Sequence, residues 1–260
     1  LALEHWFEYL ICALAALAAG FVNSIAGGGT LLTFPALVFS LGTEVMANTT
    51  STVGLFPGSL AGAWGSRSHL TGIKTWLLIL IPPSIAGSIT GALMVTRFPQ
   101  LFSLLVPWLL LLASTLFLIQ PLISKPKPTQ KDGDDNPSGT LHTTLGLVLF
   151  QFLVAIYGGY FGAGIGILMI ASLSFMGIPD IFRVNGLKNV LAFVINSVAA
   201  LVFCMDAPMD WKFAGGMAFF SVIGGYLGGT FSQKIPRKML RFLIIAIGYM
   251  LAFYYFFKTA

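Results

Sequence analysis

One basic side chain stands inside an apolar run. Lys188 lies in LKNVLAFVIN, with Asn185 three residues before it, Asn189 directly after and Asn196 seven further on, a spacing that puts all four on one helix face. An ammonium among apolar residues is costly and normally faces a cavity or a partner. Its other placement is a stem that snorkels to an interface, about one turn from the start of the segment. Two glycine clusters come next. Gly27, Gly28 and Gly29 are accompanied by Asn23, Ser24 and Thr30, whereas Gly162, Gly164 and Gly166 have no comparable polar neighbours. A third polar group is the run Asn48, Thr49, Thr50 and Ser51. Backbone N–H groups at helix starts, hydroxyls, amides and a single cation together suit an oxyanion site without a surplus of fixed charge. The same glycines also serve close helix packing.

What is missing narrows the chemistry. Glu44, Asp180, Asp206 and Asp210 stand at segment edges, and His5, His69 and His142 at the ends of runs, so no acid or histidine sits deep enough for a proton relay. There is no H-E-x-x-H, no paired acids within a span and no Ser/His arrangement for hydrolysis. The expectation is a protein that is not an enzyme, with no catalytic residue, metal or cofactor. The two cysteines, Cys12 and Cys204, each lie in an apolar run and read as small buried hydrophobes.

The elements that must position these groups follow from composition. Of 260 residues, 57% are hydrophobic and 9% charged, against about a quarter charged in ordinary soluble domains. This is a membrane composition, with the lipid bilayer as partner. An excess of 14 basic over 9 acidic residues then orients the chain rather than recruiting nucleic acid. The leading segment carries Glu4 and Glu8 where a secretory signal has basic residues, and is read as a retained span. The tryptophans, mostly near segment ends, read as interface anchors.

Apolar segments fall at 6–25, 30–41, 47–66, 74–95 and 100–123, and again at 141–162, 167–177, 185–204, 212–231 and 240–257. The Pro-, Gly- and charge-rich stretch 124–139 between them is a solvated linker. The expected organisation is a first membrane repeat over 1–123 and a second over 140–260. A gapless offset of 137 places AGGG (Ala26–Gly29) on AGIG (Ala163–Gly166), Asn48 on Asn185, Ser51 on Lys188, Ser59 on Asn196, Gly87 and Gly91 on Gly224 and Gly228, and Pro99 on Pro236. Five segments per half would invert the second repeat. With the N-terminus outside, Arg67, Lys74, Lys125, Lys127, Lys131, Arg183, Lys234, Arg237, Lys238 and Arg241 fall inside, while Arg97, Lys212 and Lys258 fall outside. That split obeys the positive-inside rule, with the linker cytoplasmic and both termini periplasmic. The segment 30–41 would cover only about 18 Å, so each half is expected to hold a Gly-rich re-entrant hairpin whose tip approaches the other near mid-membrane. The fold class is therefore all-α, of inverted repeats with about five helical segments each.

The stretches GFVNSIAGGGTLLTFPALVFSLG (Gly20–Gly42) and YGGYFGAGIGILMIASLSFMGIP (Tyr157–Pro179) resemble the repeat signature of the TauE/SafE sulfite exporter family. ANTTS at Ala47–Ser51 is similar to that family's A-x-G-T-N-[KS] element, with Thr49 standing where Gly is usual; its counterpart in the second half is Val184–Lys188. The resemblance implies a bacterial inner-membrane, multi-pass carrier for sulfite, thiosulfate or organosulfonates, and export of a small sulfur oxyanion is the leading expectation. Uptake of thiosulfate or a related anion is the rival within transport. A membrane assembly factor that moves nothing is the rival from another class. Cys12 and Cys204 stand in neither glycine cluster, which disfavours a cysteine relay for thiosulfate.

Overall fold

The computed structural model describes residues 6–70, 73–123, 141–174, 181–231 and 237–259, so the linker at 124–139 lies outside the described residues. Among the described residues the chain is helical: α1 (Trp6–Ile25), α2 (Thr30–Leu41), α3 (Glu44–Gly65), a 3-10 turn (Arg67–His69), α4 (Lys74–Arg97), α5 (Pro99–Ile123), α6 (Leu141–Tyr160), α7 (Ile165–Ser174), α8 (Ile181–Asp206), α9 (Trp211–Phe231) and α10 (Arg237–Thr259). Helices are what such apolar runs must form in lipid, because each segment then satisfies its own backbone polar groups. Trp6–Ile25, Lys74–Arg97, Pro99–Gln120 and Phe182–Asp206 are each long and apolar enough to cross a bilayer. At 12 residues α2 reaches only about 18 Å, and the 10 described residues of α7 cover about 15 Å.

The helix pairings have a pattern. α1 packs on α9 and α4 on α6; α3 packs on α9 and α4 on α8; α3 also meets α8, and α5 meets α10. Exchanging the first five helices for the last five maps this set onto itself. The glycines matched by the offset explain why. Gly224 and Gly228 of α9 lie against the carbonyls of Leu17 and Phe21, and Gly87 and Gly91 of α4 against those of Phe152 and Ile156, with no room for a Cβ at any of the four. Small residues let backbones meet this closely where no hydrophobic drive operates between helices.

Among the described residues two apolar clusters fill the interior. The larger gathers Phe34, Phe102, Phe117, Phe161 and Phe203. The smaller joins α4 to α6, α7 and α8 through Trp76, Leu80, Val154, Ile165, Leu187 and Leu191. Trp76 thus departs from the interfacial expectation: it is 6% exposed, whereas Trp6, Trp64, Trp108 and Trp211 are 58–62% exposed.

Candidate functional site

Both half-length helices follow a glycine turn. Gly27 takes φ +77° and Gly162 φ +78°, the left-handed conformation that ends a helix. Gly27 donates its N–H to the Val22 carbonyl at 3.1 Å and Gly162 to the Tyr157 carbonyl at 3.1 Å. Gly164, which the gapless alignment pairs with Gly27, also has a positive φ, +80°, but by this N–H bond and by the starts of α2 and α7 the match to Gly27 is Gly162, 135 positions on. The reason is a difference in length. Gly27 to Asn48 is 21 positions and Gly162 to Asn185 is 23, so the second half has two extra residues between its turn and the asparagine of its long helix.

After the first turn the chain doubles back. Gly29 abuts the Ala19 carbonyl and Ser40 Oγ lies 3.6 Å from Cys12 Sγ, so α2 runs back along α1. The two turns touch: a Cβ on Gly166 would stand 2.6 Å from the Gly27 Cα.

Beside this contact is a small cavity lined by four groups of residues. The first turn supplies Asn23, Ser24, Gly27 and Thr30, and the second Phe161, Gly162 and Ile165. Between them Thr52, Leu55 and Ser59 of α3 face Asn189, Ala192 and Asn196 of α8. The last two sets are related by the offset of 137, and Asn196 Nδ2 donates to its own equivalent, Ser59 Oγ, at 2.9 Å. The cavity offers 20 Å³ to the centres of water molecules, room for about one water. A sulfur atom with its oxygens would need it to widen.

Six of the residues singled out from sequence therefore line the cavity: Asn23, Ser24, Gly27, Thr30, Gly162 and Asn189. The others build its frame. Gly28 is pressed against the Phe117 ring, Gly164 lies beside Ala113, and Gly166 against Gly27. The Gly29 N–H donates to Asn23 Oδ1 at 2.7 Å, fixing the first turn. Thr49 Oγ1 donates to the Pro208 carbonyl at 2.6 Å and Thr50 Oγ1 accepts from the Asp210 N–H at 3.0 Å. Asp210 in turn caps the start of α9 through the N–H groups of Lys212 and Phe213. These two threonines thus hold the α8–α9 connection and do not line the cavity. Ser51 Oγ lies 2.6 Å from Thr33 Oγ1.

Lys188 is fully buried and lies one layer behind the cavity wall. Its Nζ donates to the carbonyls of Asn23 at 3.0 Å and Ser24 at 3.2 Å, and Asn185 Nδ2 donates to the Ser24 carbonyl at 3.3 Å. The snorkelling alternative does not describe this side chain. Across the repeat, Asn48 Nδ2 donates to the Tyr160 carbonyl at 3.0 Å. Each long helix thus uses its asparagine to satisfy the last carbonyls of the other half's first helix, groups that a helix end leaves without internal partners. Asn189 Nδ2 donates to Ser66 Oγ at 3.1 Å.

Sequence reasoning missed Thr52, Leu55, Phe161, Ile165 and Ala192 as lining, and left Ser59 and Asn196 outside the site proper. A signal was present: Thr52, Leu55 and Ser59 have the same 3-then-4 spacing as Asn189, Ala192 and Asn196, 137 residues on. The site offers hydroxyls, amides and a buried cation.

Comparison with known proteins agrees. The chain is 29% identical over 252 residues to a probable membrane transporter protein, ORF9, of a Sinorhizobium species, covering 95% of this chain and 91% of the relative. It is 27% identical over 237 residues to a probable membrane transporter protein of Haemophilus influenzae, covering 90% and 88%. To the probable membrane transporter protein YfcA of Escherichia coli K12 it is 23% identical over 239 residues, covering 89% and 83%. Residues 12–255 match the family described as sulfite exporter TauE/SafE. A multi-pass chain matched to that description over nearly its whole length belongs to the TauE/SafE family of membrane transporters.

Proposed function

We propose that the protein exports a small sulfur oxyanion, sulfite or an organosulfonate, across the bacterial inner membrane. The observation that carries this reading is the buried ammonium of Lys188 on the two carbonyls directly behind a cavity of hydroxyls and amides. A cation in that position makes the cavity favourable to negative charge in a low-dielectric interior, where such interactions are strong. Neutral donors at the wall then supply hydrogen bonds that a strongly hydrated anion exchanges for its water.

The membrane arrangement follows the same reading. Residues 1–123 and 140–260 form two repeats of opposite orientation, with α1–α2 and α6–α7 as re-entrant hairpins, a cytoplasmic linker and periplasmic termini. The exchange symmetry of the helix pairings and the distribution of basic residues support it. Alternating access would rock one half against the other about the cavity, as in other carriers built of inverted repeats.

A negative interior expels anions, and each elementary charge moved gains about 2.3 kcal/mol per 100 mV. Proteoliposomes test the drive and the substrate together. With equal pH on both sides, a valinomycin potassium-diffusion potential is expected to speed sulfite movement toward the positive side. Flux that ignores the potential and follows only a pH gradient would overturn electrogenic export, thiosulfate flux in place of sulfite would change the substrate, and accumulation on the negative side would move the assignment to uptake.

A further inference from the structure

We infer that the carbonyl end of α1 is a monovalent-cation site, and that Lys188 fills it with a cation tethered to the protein. The last carbonyls of a helix carry partial negative charge and lack intrahelical donors. At α1 the Val22 carbonyl receives both Ala26 N–H (2.8 Å) and Gly27 N–H (3.1 Å), and the next two, Asn23 and Ser24, converge on Lys188 Nζ at 3.0 and 3.2 Å. Half-helix C-termini and unwound carbonyls are also what transporters use to coordinate free sodium or protons. Here the cation arrives on a side chain of α8.

The other half makes the same end without a charge. The Tyr160 carbonyl of α6 receives the neutral amide of Asn48 at 3.0 Å, and Ser51, the residue equivalent to Lys188, is engaged with Thr33. The cation is therefore a property of one half. Because both carbonyl residues, Asn23 and Ser24, also line the cavity, the tethered charge stays beside the anion throughout the cycle, and no co-transported cation is required at this position. This consequence for flux rests on the function proposed above; the cation site itself does not.

The test removes the tether. In purified Lys188→Ala the vacated cage should take up a small cation, so ammonium and methylammonium should raise its Tm saturably in the absence of any anion. Choline at the same ionic strength is too large and should not, and wild-type protein should respond to none of them. Lys188→Met, whose neutral stem fills the space, should show a lowered Tm that no cation restores. A Lys188→Ala protein as stable as wild type and indifferent to each cation overturns the proposal, as does an equal response of the Ala and Met variants. Should Lys188→Ala fail to fold, a Lys188→Met protein with wild-type Tm overturns it and one with a lowered Tm supports it. In liposomes, Lys188→Ala should lose at least about tenfold in sulfite flux in choline medium, about 1.4 kcal/mol, and recover it with methylammonium; loss without recovery overturns the transport role. If wild-type protein moves no sulfur anion, the proposed function fails, while the thermal arm still decides the cation site.

Discussion

At the turn after α1 the chain presents Asn23, Ser24 and Thr30; at the corresponding positions after α6 it presents Gly158, Gly159 and Ile165. The backbones agree closely, with both turn glycines near φ +78° and the same long-range N–H bond across the last turn. The side chains do not. Ser24 Oγ reaches the Gly225 carbonyl at 2.9 Å, while Gly159 lets α6 press directly on the Ser88 carbonyl. The end of α1 receives the Lys188 ammonium, the end of α6 the neutral Asn48 amide. The two turns share a backbone path and matching helix contacts, while the polar side chains stand on the first. An anion in the cavity would meet donors on the first turn and the apolar Phe161 and Ile165 on the second.

The largest effect should come from breaking the backbone equivalence. Gly27→Ala sets a Cβ into the Gly166 backbone at positive φ, whereas at Gly162 the nearest atom is the Gly158 carbonyl at 3.1 Å. Gly27→Ala should cost more than about 4 kcal/mol and give little folded protein. Gly162→Ala should cost about 1–2 kcal/mol, and melting of both in detergent compares them.

Moving the chemistry is the next test. Thr30→Val removes a hydroxyl from the wall, and loss of a hydrogen bond to a charged ligand, about 1.5–3 kcal/mol, should raise the KM for sulfite by roughly 10- to 150-fold. Adding Ile165→Thr puts a hydroxyl on the opposite turn and should recover part of that loss. A double variant no better than Thr30→Val would mean that the turns are not interchangeable supports.

The smallest expected effect separates the two asparagine caps. Asn48 satisfies the α6 end with no lysine beside it, while Asn185 shares the Ser24 carbonyl with Lys188. Each leaves its own Oδ1 buried without a hydrogen bond, so that cost cancels in the comparison. Asn48→Ala should therefore lower stability by about 1–3 kcal/mol and Asn185→Ala by less than about 1 kcal/mol. Equal shifts in Tm would show that Lys188 contributes nothing to holding α1.

Much of this was legible before any coordinates. Long apolar runs bounded by charge, Pro and Gly set the helix limits to within a few residues, as 30–41 and 74–95 against Thr30–Leu41 and Lys74–Arg97 show. Lys188 announced itself because an ammonium in an apolar run demands partners. The identity of those partners was not readable, since two main-chain carbonyls 164 and 165 positions away carry no residue signature. The shift from 137 to 135 at the turns escaped a gapless comparison because AGGG (Ala26–Gly29) falls on AGIG (Ala163–Gly166) at 137. The loop-holding bonds of Thr49 and Thr50 were not readable, because hydroxyls that hold a loop and hydroxyls that hold an anion look alike in sequence.

The bond from Lys188 to Asn23 also sets a timetable for biogenesis. Their separation is 165 residues, so at ordinary rates of synthesis, about 5–20 residues per second, α1 waits roughly 8–33 s for its partner. During that interval its last carbonyls and the short α2 lie in or beside lipid without the groups that complete them, a condition that the bilayer penalises. The first half is thus a client that must be held, by the insertion machinery or by water at the translocation site, until α8 emerges. Truncated chains ending before Lys188 should be degraded rapidly, and those extending beyond α9 should escape, which makes the second half the element that releases the first.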